Sequence, residues 1–202
     1  MLAWREALES EGIELSVWRI HRKIGMSGGL FTNMLLRETG LEIDQERIER
    51  LGRMHATAYK RLSGDVRPLP GARELLAFLT DAQIPWAIAT SGRLETAGPV
   101  IKSLGVDMAR VPIITRDLVT YAKPDPDVFL AAAEALGVPI EMSTVVGDAV
   151  WDMLASRRAR SLGIGLLSGG YGLEELERAG AYRVFADPAD LLVHIDEVGG
   201  RR

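Results

Sequence analysis

The sequence predicts an α/β protein with a doubly wound parallel sheet, preceded by a subdomain built of helices alone. Three observations carry that prediction. From residue 71 onward, short apolar runs alternate with helical patterns, as successive strand–helix–strand units require. Residues 1–67 show helical periodicity without one such run. Between the two regions, Pro68-Leu69-Pro70-Gly71 is a stiff punctuation. The expected division is an α-helical subdomain at 1–67 and an α/β core at 68–202.

In the first region, Leu2, Trp4, Ala7 and Leu8 place an apolar stripe on a helix that Gly12 ends. Ser16 is the expected N-cap of a second helix reaching Lys23 and stopped by Gly25. A third helix is expected over 29–39. A fourth, over 44–62, starts at Asp44 and repeats Ile48, Leu51 and Met54 on one face. In the second region, a helix at 71–82 leads to a strand at 86–89, then a helix at 94–104 and a strand at 111–114. A helix at 127–136 follows, with Asp125 as its expected cap, Pro126 in its first turn and Gly137 at its end. Strands at 144–146, 164–167 and 182–185 then alternate with helices at 150–160, 173–179 and 188–195.

Composition narrows the function classes. The chain carries 24 Lys and Arg against 28 Asp and Glu, a net charge of −4, so no basic surface for nucleic acid is expected. No apolar run nears the roughly 20 residues of a membrane helix, and the start Met1-Leu2-Ala3-Trp4-Arg5-Glu6 reads as an amphipathic helix, not a leader. Zero cysteines exclude disulfides and thiolate metal sites, and suit a reducing cytoplasm.

The chemistry concentrates at three strand ends. The β-branched run Thr144-Val145-Val146 ends in Gly147-Asp148, and Asp152 follows one helical turn later, so both carboxylates can converge on one point. Ligands of open α/β sheets sit at the strands' carboxyl ends, and two hard oxygen donors suit Mg²⁺. Asp148 as a helix cap and Asp152 as a solvated first-turn acid is the bland alternative. Thr90-Ser91-Gly92 closes the 86–89 strand; its hydroxyl and the N–H groups of Ser91 and Gly92 would cradle an anion, or merely cap the next helix. Lys123 stands before Pro124-Asp125-Pro126-Asp127, where a stiffened backbone would fix its ammonium toward a phosphoryl group, unless it is simply solvated.

Taken together, Ile88-Ala89-Thr90-Ser91-Gly92, Lys123-Pro124-x-Pro126-Asp127-x-Phe129 and Gly147-Asp148-x-x-x-Asp152 resemble the second, third and fourth motifs of the haloacid dehalogenase (HAD) superfamily, in order. Leu166-Leu167-Ser168-Gly169-Gly170-Tyr171 is similar to the loop after the fifth strand in phosphoglycolate-phosphatase-like members. The first 67 residues resemble the family's helical cap, as in its β-phosphoglucomutase-like branch, and Lys23-Ile24-Gly25-Met26-Ser27-Gly28 its substrate loop. The resemblance implies a Rossmann-like core and a Mg²⁺-dependent phosphatase acting on a small phosphorylated metabolite through an aspartyl-phosphate. Thr90, with Ser91 and Gly92, would bind the phosphoryl group and Lys123 would neutralise it. Asp148 and Asp152 would hold Mg²⁺. Arg22, Lys23, Gly25, Met26 and Ser27 would meet the substrate from a cap that closes over the site and excludes water.

One departure stands out. The family's first motif, Asp-x-Asp-Gly-Thr after an apolar strand, is absent, and with it the nucleophile and the first core strand. Asp125-Pro126-Asp127 follows no strand and lacks Gly-Thr. The missing strand is the central one, between those ending at Ala89 and Val146, so two unpaired edges are expected in mid-sheet. The expectation is therefore an inactive, N-terminally shortened phosphatase. A sugar-phosphate mutase, or a non-catalytic phosphate-binding relative, are the alternatives.

Overall fold

The computed structural model describes residues 1–26, 28–41 and 44–200. The chain forms two compact units, Met1–Val66 and Arg67–Arg202.

The first unit is helical: α1 (Leu2–Ser10), α2 (Val17–His21), α3 (Gly28–Thr39) and α4 (Gln45–Leu62). Ser16 and Asp44 cap α2 and α4, accepting the backbone N–H of Arg19 and Arg47. The first helix turns Ala3, Ala7 and Leu8 inward, whereas Leu2, expected on that stripe, is half exposed. Ala3 and Ala7 lie one turn apart, and their small side chains let α1 pack closely on α4. Trp4 sits between Phe31 and His55, with ring centroids 4.2 and 4.0 Å away. Glu11, just past α1, accepts from the Nε of both Arg47 and Arg50 on α4, each at 3.1 Å.

The second unit runs α5 (Ala72–Asp81), β1 (Ile88–Ala89), α6 (Leu94–Ser103), β2 (Ile113–Ile114), α7 (Asp127–Leu136), β3 (Thr144–Gly147), α8 (Val150–Ala159), β4 (Leu162–Leu166), α9 (Leu173–Ala179), β5 (Ala181–Phe185) and α10 (Pro188–Val193). Every strand pair is parallel. Helices cover both faces, because successive strand residues point to opposite sides. Phe185 joins Leu75 and Leu191 in the core under α5 and α10, while its neighbour Val184 packs with Met153 and Leu176 of α8 and α9.

The strands fall into two sheets, β1–β2 and β3–β4–β5. Among the described residues β1 pairs only with β2, and β3 only with β4 on one side, so the anticipated interruption is present. A shared apolar core spans it: Ala87 before β1, Ala89 and Ile114 of the first sheet, and Val145 of the second pack with Val128, Phe129 and Ala132 of α7. The strand expected over 86–89 shrinks to Ile88–Ala89, since only these residues find partners, on β2. The cap expected at Asp125 does not form. Pro126 occupies that position, and the Asp125 carboxylate instead meets Arg158 at 3.2 Å.

Candidate functional site

Thr90 and Asp148 follow the carboxyl ends of β1 and β3, and Lys123 lies in the turn before α7. Thr90 follows β1, anchored by its N–H to the Ile114 carbonyl at 2.9 Å. Its Oγ1 accepts the Gly92 N–H at 3.0 Å. That bond redirects the expected anion cradle: the Gly92 N–H is engaged within the loop, and the Thr90 hydroxyl, with a lone pair occupied, keeps its proton to donate. Ser91 lies between them, part buried.

Lys123 is buried, 8% exposed, in the turn preceding α7, and the Lys123–Pro124 peptide bond is cis. Its Nζ lies 2.6 Å from Oδ1 of Asp152, itself 6% exposed. The other Asp152 oxygen accepts the Ala149 N–H at 3.1 Å, a carboxylate in the first turn of α8 bonding back to the helix start. Both oxygens of Asp152 are thus engaged, and its carboxylate fixes the ammonium to α8. Arg158, farther along α8, donates to the Pro124 carbonyl at 3.0 Å, so one helix holds the lysine turn at two points.

Two glycines make room for this arrangement. A Cβ at Gly147 would lie 2.4 Å from the Asp152 Cβ, so only glycine lets the strand end meet that side chain. A Cβ at Gly169, in the turn after β4, would lie 2.0 Å from the Asp148 carbonyl oxygen. Asp148 itself is exposed between β3 and α8.

As a metal site the described donors are incomplete. Both oxygens of Asp152 already have partners, and no group of three His, Cys, Asp or Glu that could hold a metal occurs among the described residues. Mg²⁺ prefers near-octahedral oxygen coordination, which these two residues do not provide alone.

In the helical unit, Lys23 is 4% exposed and its Nζ donates to Glu38 Oε1 at 2.7 Å and to the Arg19 carbonyl at 3.3 Å. Met26 is buried in that unit's core. The Arg22 guanidinium stacks over Trp18, 5.4 Å from the ring. Gly25 has φ of +94°, which favours glycine. Ser27 lies outside the described residues.

Sequence reasoning did not anticipate the part played by Arg158, the close approach of Gly169 to Asp148, or Asp117, which binds the Thr90 loop from just past β2. Each acts across a long sequence separation, and none sits in a spacing that a local pattern would reveal.

Parallel strands alternating with helices, with Thr90 and Asp148 just past the carboxyl ends of β1 and β3, define an α/β protein whose candidate site lies where ligands of such sheets bind. The profile of the haloacid dehalogenase-like hydrolases matches residues 3–160, and the chain belongs to that family. Similar to it is a phosphoglycolate phosphatase of Agrobacterium fabrum, 33% identical over 135 residues, covering 66% of this chain and 57% of that protein. The crystal structure of a hydrolase from Pseudomonas syringae is 56% identical, with a TM-score of 0.95 over 98% of this chain and 90% of that one. A HAD family hydrolase of Deinococcus radiodurans, with bound phosphate and sodium, is 25% identical, with a TM-score of 0.70 over 98% of this chain and 88% of that one. The chain spans little more than half the length of the Agrobacterium protein. No helix among the described residues is long and apolar enough to cross a membrane.

Proposed function

We propose that this chain is the phosphate-recognising part of a phosphatase for small phosphate esters. The observation that carries the reading is the buried Lys123–Asp152 pair at 2.6 Å, beside the carboxyl end of β3. A single long side chain placed there by a carboxylate, a helix and a stiffened turn serves a ligand of negative charge. Thr90 donates its hydroxyl to a phosphoryl oxygen, and Lys123 offsets the charge on the transferring group. The phosphatase names of curated relatives and the phosphate bound in the Deinococcus relative support this assignment.

The nucleophile, in this proposal, is an aspartate on a strand seated between β1 and β3, outside these residues. The split into two parallel sheets under one helix supports that placement. Asp148 is then one oxygen ligand of a Mg²⁺ whose remaining protein donors arrive with that strand, and Asp152 orients Lys123. Mg²⁺ supplies charge neutralisation when bound. A cytoplasmic location agrees with the absence of cysteine.

The test is release of phosphate from p-nitrophenyl phosphate with Mg²⁺, by the 202-residue chain and by a version extended through any in-frame upstream codons. The extended protein is expected to turn over and to lose activity on Thr90→Ala, while the 202-residue chain is expected to be inactive. Comparable rates from both would refute the missing-strand proposal. The lack of an Asp-x-Asp-Gly-Thr sequence favours a second reading, a phosphate-binding relative without turnover. An in-frame stop codon just upstream would select it.

A further inference from the structure

After β2 the chain passes Thr115, 2% exposed, and makes one 3₁₀ turn, Arg116–Leu118. That turn is bound to the Thr90 loop at three points. The Arg116 N–H donates to the Gly92 carbonyl at 3.0 Å. The Leu94 N–H, in the first turn of α6, donates to Asp117 Oδ2 at 3.0 Å. The Arg93 guanidinium donates to Asp117 Oδ1 at 3.1 Å. Arg93, the residue in the N-cap position of α6, makes no side-chain capping bond of its own. The cap of α6 is therefore delivered in trans, by a residue far along the chain, and it closes the segment that begins at Thr90.

We infer that Asp117 is a positioning residue for the phosphate-binding loop: by capping α6 and holding Arg93, it fixes the backbone of 90–94 so that the Thr90 hydroxyl faces the phosphoryl group.

The inference rests on the reading of Thr90 as a phosphate ligand. Physically, helix α6 starts within four residues of Thr90, so a frayed first turn would pass directly into the loop. The Thr90 Oγ1–Gly92 bond, which aims the hydroxyl, needs the Gly92 amide in place, and the Gly92 carbonyl is tied to the same 3₁₀ turn. The carboxylate also meets the positive end of α6, a position where an acid is favourable. Phosphate recognition by this loop thus depends on the Thr90 hydroxyl, because the α6 N-terminus is already served by Asp117.

The experiment uses the 202-residue chain, inorganic phosphate as the probe, and backbone amide NMR. In the wild type, phosphate is expected to shift the resonances of residues 90–92, and the Leu94 amide to be protected from hydrogen exchange. Asp117→Ala is expected to speed Leu94 exchange and to weaken phosphate binding, each by roughly fivefold as loss of a helix cap implies. Asp117→Asn keeps an acceptor oxygen and is expected to restore most of both. Thr90→Ala is expected to abolish the phosphate response while leaving Leu94 protected. Faster Leu94 exchange with unchanged phosphate affinity in Asp117→Ala would overturn the inference, reducing Asp117 to a helix cap. So would an Asp117→Asn variant that recovers Leu94 protection yet binds phosphate as poorly as Asp117→Ala. A wild type that does not respond to phosphate would overturn the reading of Thr90 itself, and the inference with it.

Discussion

Removing one member of the Lys123–Asp152 pair is the sharpest test of the site's construction. Both side chains are almost fully buried, at 8% and 6% exposure, so water cannot take over from a lost partner. Asp152→Ala strands an ammonium in the interior, at a cost of about 3–5 kcal/mol. It also removes the bond to the Ala149 N–H, worth about 1 kcal/mol as a helix cap. Lys123→Met leaves the converse charge on Asp152 but keeps that helix bond, so a loss of about 3–5 kcal/mol is expected there too. The double variant buries no lone charge. It should cost only about 1–2 kcal/mol, since buried pairs replaced by apolar groups are often neutral. The measurement is urea unfolding followed by Trp86 and Trp151, which belong to Arg67–Arg202, with Trp4 and Trp18 changed to Phe. Read by heating as well, Lys123→Met should lower the melting temperature by about 9–15 °C and Asp152→Ala by about 12–18 °C, at roughly 3 °C per kcal/mol for a chain of this size. Losses that add within about 0.5 kcal/mol would show the two groups to be uncoupled and would refute the reasoning.

Three further outcomes follow, one of them beside the same pair. Burial among Trp4 and Tyr59, aided by the nearby amino terminus, lowers the His55 pKa from 6.5 to about 4. The unfolded chain then binds the extra proton first as pH falls, so the helical unit keeps this stability above pH 6.5 and loses it progressively toward pH 4. Because His55 is not fully enclosed the loss is discounted to about 2 kcal/mol; His55→Phe should flatten the dependence in acid titrations followed by circular dichroism. Gly147→Ala should destabilise the core unit by about 1–3 kcal/mol, because its Cβ would meet Asp152 at 2.4 Å. Gly52→Ala, in mid-α4 with open space around it, should instead stabilise by about 1 kcal/mol; thermal unfolding distinguishes the two signs.

The elements most legible in the sequence were those with local chemistry. Ser16 caps the helix it was expected to cap, Asp44, expected to begin α4, caps it one residue before its start, and Gly137 ends α7 in the left-handed region at φ of +68°. Local pattern failed where tertiary partners decide. Nothing in the run Trp86–Ala89 tells that only its last two residues have a strand to pair with. Asp125 has the composition of a cap, yet Arg158, on a distant helix, takes its carboxylate. The same holds for the site. Motif spacing brought Lys123 and Asp152 into one argument and assigned Asp152 to a metal, but it could not show that the carboxylate also bonds Lys123 and the Ala149 amide. Burial and the two bonds to Asp152 distinguish it from the exposed Asp148.

That distinction alters what the Gly147-Asp148-x-x-x-Asp152 pattern accomplishes. Asp148 follows the last residue of β3 and can face outward because the chain there has left the sheet. Asp152 must turn back toward the strand, where Gly147 offers no side chain to block it and the Ala149 amide offers a donor. From that position one oxygen reaches across to the turn before α7, so β3, α8 and the lysine turn become a single rigid corner. Thr90 stands at the end of the other sheet, joined to this corner through the apolar residues of α7 and not through a backbone ladder. Side-chain packing is non-directional, whereas a ladder fixes strands to a register. The geometry within each half is therefore set tightly by hydrogen bonds, and the distance between the halves is left to packing. A strand paired to both edges would convert that looser relation into a fixed one.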